Sequence, residues 1–173
     1  FLECSGTLTL RHGNRCVVDS NFFLGGGRSG SGGVRVIGED HVVVNNHFEK
    51  TAGRTGAAIS VYAGVANSPL NEYFAAHNVT VMHNTFVDNT GPAIDVASGL
   101  GSSSRTVVPT GGKYLNNVIV QSSSSAGAQI IGASASTHTW TTNLLSGGSL
   151  GTAPATGFTV ASAGVAYDPL RLV

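Results

Sequence analysis

Charge is scarce in this chain. Of its 173 residues only 10% are Asp, Glu, Lys or Arg, nine acidic against nine basic, so the formal net charge is zero; soluble domains ordinarily carry roughly 25%. Without a basic excess there is no electrostatic footprint for nucleic acid, and so few charges cannot lace the flanks of a coiled coil. Aromatic residues reach only 7%. Cys4 and Cys16 are the only cysteines and lack the paired Cys or His spacing of a metal site, so both are read as idle or buried thiols. No apolar run approaches the roughly 18 residues of a membrane span. The opening Phe1-Leu2-Glu3-Cys4 has neither the basic segment nor the apolar stretch of a signal peptide, and position 1 is not Met. The chain is therefore expected to begin after processing or inside a longer protein.

What it has instead is glycine, 24 residues, together with Ser, Thr and Asn and short clusters of Val, Ile and Leu that bring the hydrophobic fraction to 41%. That is too apolar for disorder. The length suits one domain with a core of its own.

Two series of short strands alternate along the chain. The first has apolar residues two apart, the period of a strand with one buried face: Leu8-Thr9-Leu10, Val34-Arg35-Val36, Ile59-Ser60-Val61, Ile94-Asp95-Val96 and, more weakly, Ile130-Ile131-Gly132. The second runs into an Asn followed by apolar residues, at Asn21, Asn46, Asn84, Asn117 and Asn143. From each Asn to the next first-series strand the steps are 13, 13, 10 and 13 residues. From strand to Asn they are 13, 12, 25, 23 and 13, so a unit of about 25 residues carries two insertions, near residues 65–76 and 100–111, on one edge. A repeat of strands and Gly-rich turns without helical periodicity predicts an all-β fold, a right-handed parallel β-helix of about five coils forming a single domain over 1–173, with 151–173 as a candidate C-terminal cap. Leu8, Val34, Ile59, Ile94 and Ile130 should form one inward column and Leu10, Val36, Val61 and Val96 the next. The asparagines should form a structural column at a bend, where the tight turn suits Asn.

Alternation sends the intervening residues outward: Thr9 and Arg11, Arg35, Ser60 and Tyr62, and Asp95. Arg11 and Arg35 would then lie about 8 Å apart on neighbouring coils, beneath a wall made by the two insertions. Such a strip on a nearly uncharged protein suits a carboxylated or sulfated polymer, because guanidinium pairs bidentately with carboxylate; it also suits plain solvated surface. His12 stands where the strand turns and either donates to a ligand or satisfies the turn. Glu39, Asp40 and His41 cluster after the second strand, but no matching ligands recur, and no metal site is assigned. His47, His77, His83 and His138 are read as surface or turn residues.

The segments LTLRHGNRC at 8–16, NFFLG at 21–25, GGVRVIGEDH at 32–41, NSPLN at 67–71 and NTF at 84–86 resemble the polysaccharide lyases of family 6, which contains alginate lyases and chondroitinase B. The resemblance runs from Phe1 to about residue 120 and is most specific over 7–48; beyond that the chain fits only the general repeat. It implies eliminative cleavage of a uronate polysaccharide, alginate or a glycosaminoglycan, by a secreted or periplasmic protein with no membrane or nucleic-acid partner. It also implies a Ca²⁺ held by acidic and amide ligands, a Lys base, and an Arg within Arg-His-Gly that assists the leaving group. Arg11 takes that catalytic position by resemblance; His12, Arg35 and Tyr62 are the candidate substrate contacts. The family's Lys and Ca²⁺ ligands precede the Arg-His-Gly segment, whereas only ten residues precede Arg11 here, none of them Lys; Lys50 and Lys113 sit elsewhere in the repeat. Glu72 stands where a basic residue is expected after NSPLN. Three readings follow: the C-terminal part of a lyase β-helix with an incomplete active site, a non-catalytic module binding anionic glycan, or a purely structural β-helix. The first predicts an apolar cross-section exposed at the Phe1 end.

Overall fold

The computed structural model describes residues 1–52, 56–123 and 126–161. Its strands stack as a parallel β-helix with three long faces. The first face orders Gly6–Leu10, Ser31–Val36, Ile59–Tyr62, Ile94–Ser98, Ala128–Ile131 and Ser149–Gly151. The second stacks Val17–Asp19, Val42–Val44, Thr80–Met82, Lys113–Leu115 and Thr139–Thr141, and the third Phe22–Leu24, His47–Glu49, Thr85–Val87, Val118–Val120, Asn143–Ser146 and Phe158–Ala161. All pairs within the three faces are parallel, each strand lying beside the equivalent strand of the next coil. Both columns expected on the first face are present. Leu8 registers with Val34, Val34 with Ile59, Ile59 with Ile94 and Ile94 with Ile130, while Leu10 is followed by Val36, Val61 and Val96.

The core fills the tube from all three sides. Val18, Val43 and Val81 point inward from the second face until Tyr114 and Trp140 replace them, their rings stacked 4.1 Å apart. On the third face Phe23, Phe48 and Phe86 stack at 4.7 and 5.0 Å, with Phe1 continuing the stack above Phe23 at 4.7 Å. Identical rings fall in register because the coils do. Phe1 is 53% exposed and lines, with Leu8 and Phe23, a cavity at that end.

The asparagine column is the hydrogen-bonded spine of the bend between the second and third faces. Each Oδ1 accepts both the backbone N–H and the side-chain amide of the Asn one coil earlier: Asn46 from Asn21, Asn84 from Asn46, Asn117 from Asn84 and Asn143 from Asn117, all at 3.0–3.1 Å. Each inner amide also donates to a carbonyl of the preceding coil, as Asn84 does to Val43 and Asn117 to Val81. The turn geometry corrects the sequence argument. The left-handed residue is the one before each Asn, namely Ser20, Asn45, His83, Asn116 and Thr142, with φ between 53° and 59°. The ladder Asn is selected for its paired donor and acceptor, and the left-handed step is taken by whatever polar residue precedes it.

Two expectations shift at the C-terminal end. The Gly151–Ala161 part of the candidate cap adds a further coil, with Phe158–Ala161 pairing in parallel with Asn143–Ser146; residues 162–173 lie outside the described residues. The first face likewise has a sixth strand, Ser149–Gly151, whose single apolar residue, Leu150, left no alternation to detect. Cys4 is exposed and Cys16 half-buried, and both are free thiols.

Asn84 occupies the middle of the ladder and is 1% exposed. Asn84→Ala strands the backbone N–H of Asn46 in the interior and removes the amide donor to the Val43 carbonyl, while the Asn46 amide keeps the Val18 and Val44 carbonyls; it should cost about 3 kcal/mol, since each buried group left unpaired costs roughly 1–3 kcal/mol. The half-exposed ladder end, Asn21→Ala, should cost about 1 kcal/mol or less. Urea unfolding followed by circular dichroism measures both, and equal losses would contradict the ladder's role.

Candidate functional site

The two insertions depart from the first face and meet above it. Gly64–Val65 begins the first and Arg105–Val107 lies in the second, and these short strands pair with each other antiparallel. The first insertion closes on itself, with Val65 N–H donating to Tyr73 O at 2.9 Å and Ala76 N–H to Tyr62 O at 3.0 Å. Gly64 permits this closure, because a Cβ there would collide with the backbone nitrogen of Ala75. The wall inferred from the strand spacing is thus real, and its two halves are clipped together.

Under the wall lies a cluster of three arginines and two tyrosines. Tyr62, from the end of the third strand of the first face, and Tyr73, from the first insertion, stack with ring centres 5.7 Å apart and planes inclined by 21°. The Arg11 guanidinium sits 4.6 Å from the Tyr73 ring centre and donates to the carbonyl of Asn71 at 2.7 Å and, more weakly, to that of Glu72 at 3.5 Å. Arg35 lies 4.9 Å from the Tyr62 ring. Arg105 spans both rings, 4.6 Å from Tyr73 and 5.7 Å from Tyr62, and is held by donation to Gly99 O and Ser102 Oγ at 3.1 Å each. Each cation–π contact contributes about 0.5–2 kcal/mol according to its exposure. Among the described residues none of the three guanidiniums has a carboxylate within ion-pairing distance; the acid–base contacts present there are Arg28–Glu3, His47–Glu49 and Lys50–Glu49. Arg35 Nε is buried without a hydrogen-bond partner. A cluster of positive charge, fixed in place and not neutralised, is a receptor for an anion.

The structure gathers Arg11 and Arg35, expected on one strip, around Tyr62 and Tyr73. Tyr62 was placed on an open outer surface; it is 7% exposed, because Tyr73 and Arg105 cover it. It serves as the platform on which the cations rest. His12 follows Arg11 in a left-handed conformation, φ 64°, is exposed, and borders a cavity beyond the cluster. Tyr73 and Arg105 went unassigned at the level of sequence. Both lie in the insertions, where no repeat register says which way a side chain points; the available signal was an aromatic and an Arg standing in excursions already placed over the arginine strip. Glu72 contributes its backbone carbonyl to Arg11.

The acidic residues do not build a metal centre. His41 is fully buried, its Nδ1 accepting the Cys16 N–H at 3.2 Å and its Nε2 facing Ile37 O at 3.0 Å, so its ring is committed to the turn. Asp40 accepts from the Asn78 amide at 3.2 Å. Among the described residues no three His, Cys, Asp or Glu side chains gather closely enough to hold a metal ion. Of the other histidines, His47 tilts against Phe22, His77 meets Thr110 Oγ1 at 2.8 Å, and His138, whose pKa burial lowers, accepts the Gly112 N–H.

Asp95 continues the outward column, with Arg35 registering with Ser60 and Ser60 with Asp95. Burial raises its carboxyl above the ordinary carboxylate value, and a hydrogen bond with Ser98 pulls part of the way back. The folded chain thus keeps this proton at pH values where the unfolded chain has released it, and stability falls as pH rises from the ordinary carboxylate pKa through the raised one. Asp95→Asn should flatten that part of the pH dependence and raise the urea midpoint at neutral pH. Denaturation curves from mildly acidic to neutral pH test this, and an unchanged or lowered neutral midpoint would refute it.

A family model described as Chondroitinase B matches residues 1–160. The solved structure of the family 6 alginate lyase AlyGC is 34% identical with a TM-score of 0.82, the match covering 94% of this chain and 22% of that one. A mannuronic acid specific family 6 lyase from human gut microbiota shares the fold at 21% identity and a TM-score of 0.75, covering 98% of this chain and 39% of that one. So does the alginate lyase AlyF-OU02, solved in complex with G6, at 19% identity and a TM-score of 0.68, over 93% of this chain and 38% of that one. The chain spans 22% of the length of AlyGC. No curated protein matches it.

Proposed function

The chain belongs to the chondroitinase B family of polysaccharide lyases, and from that premise we propose that it forms part of the substrate groove of a protein that cleaves a uronate polysaccharide, alginate foremost, by β-elimination. The observation that carries this reading is the cluster of Arg11, Arg35 and Arg105, three guanidiniums held over two stacked tyrosines with no carboxylate partner among the described residues.

In the reaction a base takes the proton from C5 of the uronate, the electron pair forms the C4=C5 double bond, and the C4–O bond breaks so that its electrons leave with the glycosidic oxygen, which is then protonated. The obstacle is the neighbouring carboxylate, whose negative charge disfavours further charge at C5. Arginines that pair with that carboxylate lower the barrier by stabilising charge that develops in the transition state. Arg11, exposed at the mouth of the cluster, would stabilise the leaving oxygen electrostatically rather than by giving up a proton. Arg35 and Arg105 act on the carboxylate, with Tyr62 and Tyr73 fixing their positions.

The base belongs on no described residue of this groove. Lys50 follows the third-face strand His47–Glu49 and Lys113 opens the second-face strand Lys113–Leu115, both away from the cluster on the first face. The base and the family's Ca²⁺ ligands would then belong to other parts of a longer protein, in keeping with the share of AlyGC that the chain spans. A polymeric uronate substrate also places that protein outside the cytoplasm, secreted or periplasmic.

The chain should bind alginate in a salt-sensitive manner and form little or no unsaturated product, followed by ultraviolet absorbance. Arg11→Ala with Arg35→Ala should weaken binding by at least about tenfold, since a hydrogen bond to a charged group contributes roughly 1.5–3 kcal/mol. Binding no stronger than to a neutral glucan, or unaffected by the double substitution, would leave the purely structural reading.

A further inference from the structure

A cavity of about 450 Å³ opens one residue beyond Arg11, within the size range of small-ligand sites. Its lining differs in character from the arginine cluster beside it. Ile37, 1% exposed, forms part of the lining, as do Leu70, 82% exposed, and Phe74, 37% exposed. His12 borders it, and so does Glu39, an exposed acid with no ion-pair partner among the described residues. Leu70 and Phe74 flank the very segment, Asn71 to Tyr73, whose carbonyls and ring hold Arg11. One loop thus carries a cation-holding middle between two apolar side chains that line the neighbouring hollow.

The two environments select opposite edges of one sugar. In a uronate ring C5 and C2 lie across from each other. A unit whose C5 carboxylate is drawn to the arginines carries its C2 and C3 hydroxyls on the side away from them. Free hydroxyls gain little from Ile37, Leu70 and Phe74, and a second carboxylate would be repelled by Glu39. A short acyl ester on those hydroxyls meets both conditions: it is uncharged, its methyl is apolar, and its carbonyl can accept a hydrogen bond from an imidazole N–H.

We propose that the cavity lined by His12, Ile37, Glu39, Leu70 and Phe74 is a subsite for an O-acylated uronate unit, so that the groove prefers acetylated over unmodified uronate polymer. This rests on the anion-binding reading of the arginine cluster. It names the decoration that the polymer carries.

The test uses the whole chain and alginate oligosaccharides of equal length, either chemically O-acetylated or fully deacetylated, with affinity measured by calorimetry. The acetylated ligand should bind about fourfold more tightly or better, the gain from burying one methyl-sized group. Leu70→Ser and Phe74→Ala should each reduce that advantage while leaving the deacetylated ligand's affinity unchanged, and circular dichroism checks that both variants fold. Equal affinities for the two ligands, with binding still lost in the Arg11→Ala, Arg35→Ala double variant, would overturn the subsite and leave the groove standing. Equal weakening of both ligands by Leu70→Ser would likewise overturn it. Failure of both ligands to bind would remove the groove reading and the subsite with it.

Discussion

The structure depends on one repeated hydrogen bond: the asparagine carbonyl that accepts from the asparagine of the coil before it. A parallel coil has no tight hairpin to set its register, so something buried must tie one turn to the next. Here the tie lies inside the tube, at the same corner on every coil, and uses both ends of an amide. With the corner pinned, the strands leading into and out of it are in step. The three columns of apolar side chains follow, as does the stack of phenylalanine rings. Because a strand sends alternate residues out, the same registry lines up Thr9, Arg35, Ser60 and Asp95 on the outward side of the first face, where Ser60 is covered over. The chemistry outside is positioned by the amides within.

Against that regular background the site is where regularity stops. Two excursions leave the same face, and their side chains complete what the coils began. Arg11 and Arg35 come from the repeat, Tyr73 and Arg105 from the excursions, and Tyr62 from the join. In a chain of so little charge, three guanidiniums over one pair of rings create a local field that no ion pair among the described residues cancels. Aromatic faces and backbone carbonyls hold the cations without neutralising them, which is the arrangement an anionic ligand requires.

Much of this was legible in the residues. Val34-Arg35-Val36 and its equivalents announce a strand with one buried face, and the nearly constant steps from Asn to strand announce a coil. The lengthened steps located both excursions. What escaped has physical reasons. Tyr73 and Arg105 stand outside any period, so no pattern fixes where they point. Tyr62 obeys the alternation and lies outward, but its burial is imposed by segments distant in sequence. His41 looked like a partner for Glu39 and Asp40, yet the turn consumes both its nitrogens. The left-handed residue before each ladder Asn is Ser, Asn, His, Asn or Thr, a set too varied to read as a motif.

The antiparallel clip between Gly64–Val65 and Arg105–Val107 makes the two excursions a single mechanical part. Arg105 reaches its tyrosines only because one excursion stands against the other, so neither can lengthen or shorten alone without dragging the guanidinium off both rings. The coils beneath tolerate change one at a time, each contributing its own layer of core. The roof does not, and descendants of this sequence would have to alter its two halves in concert.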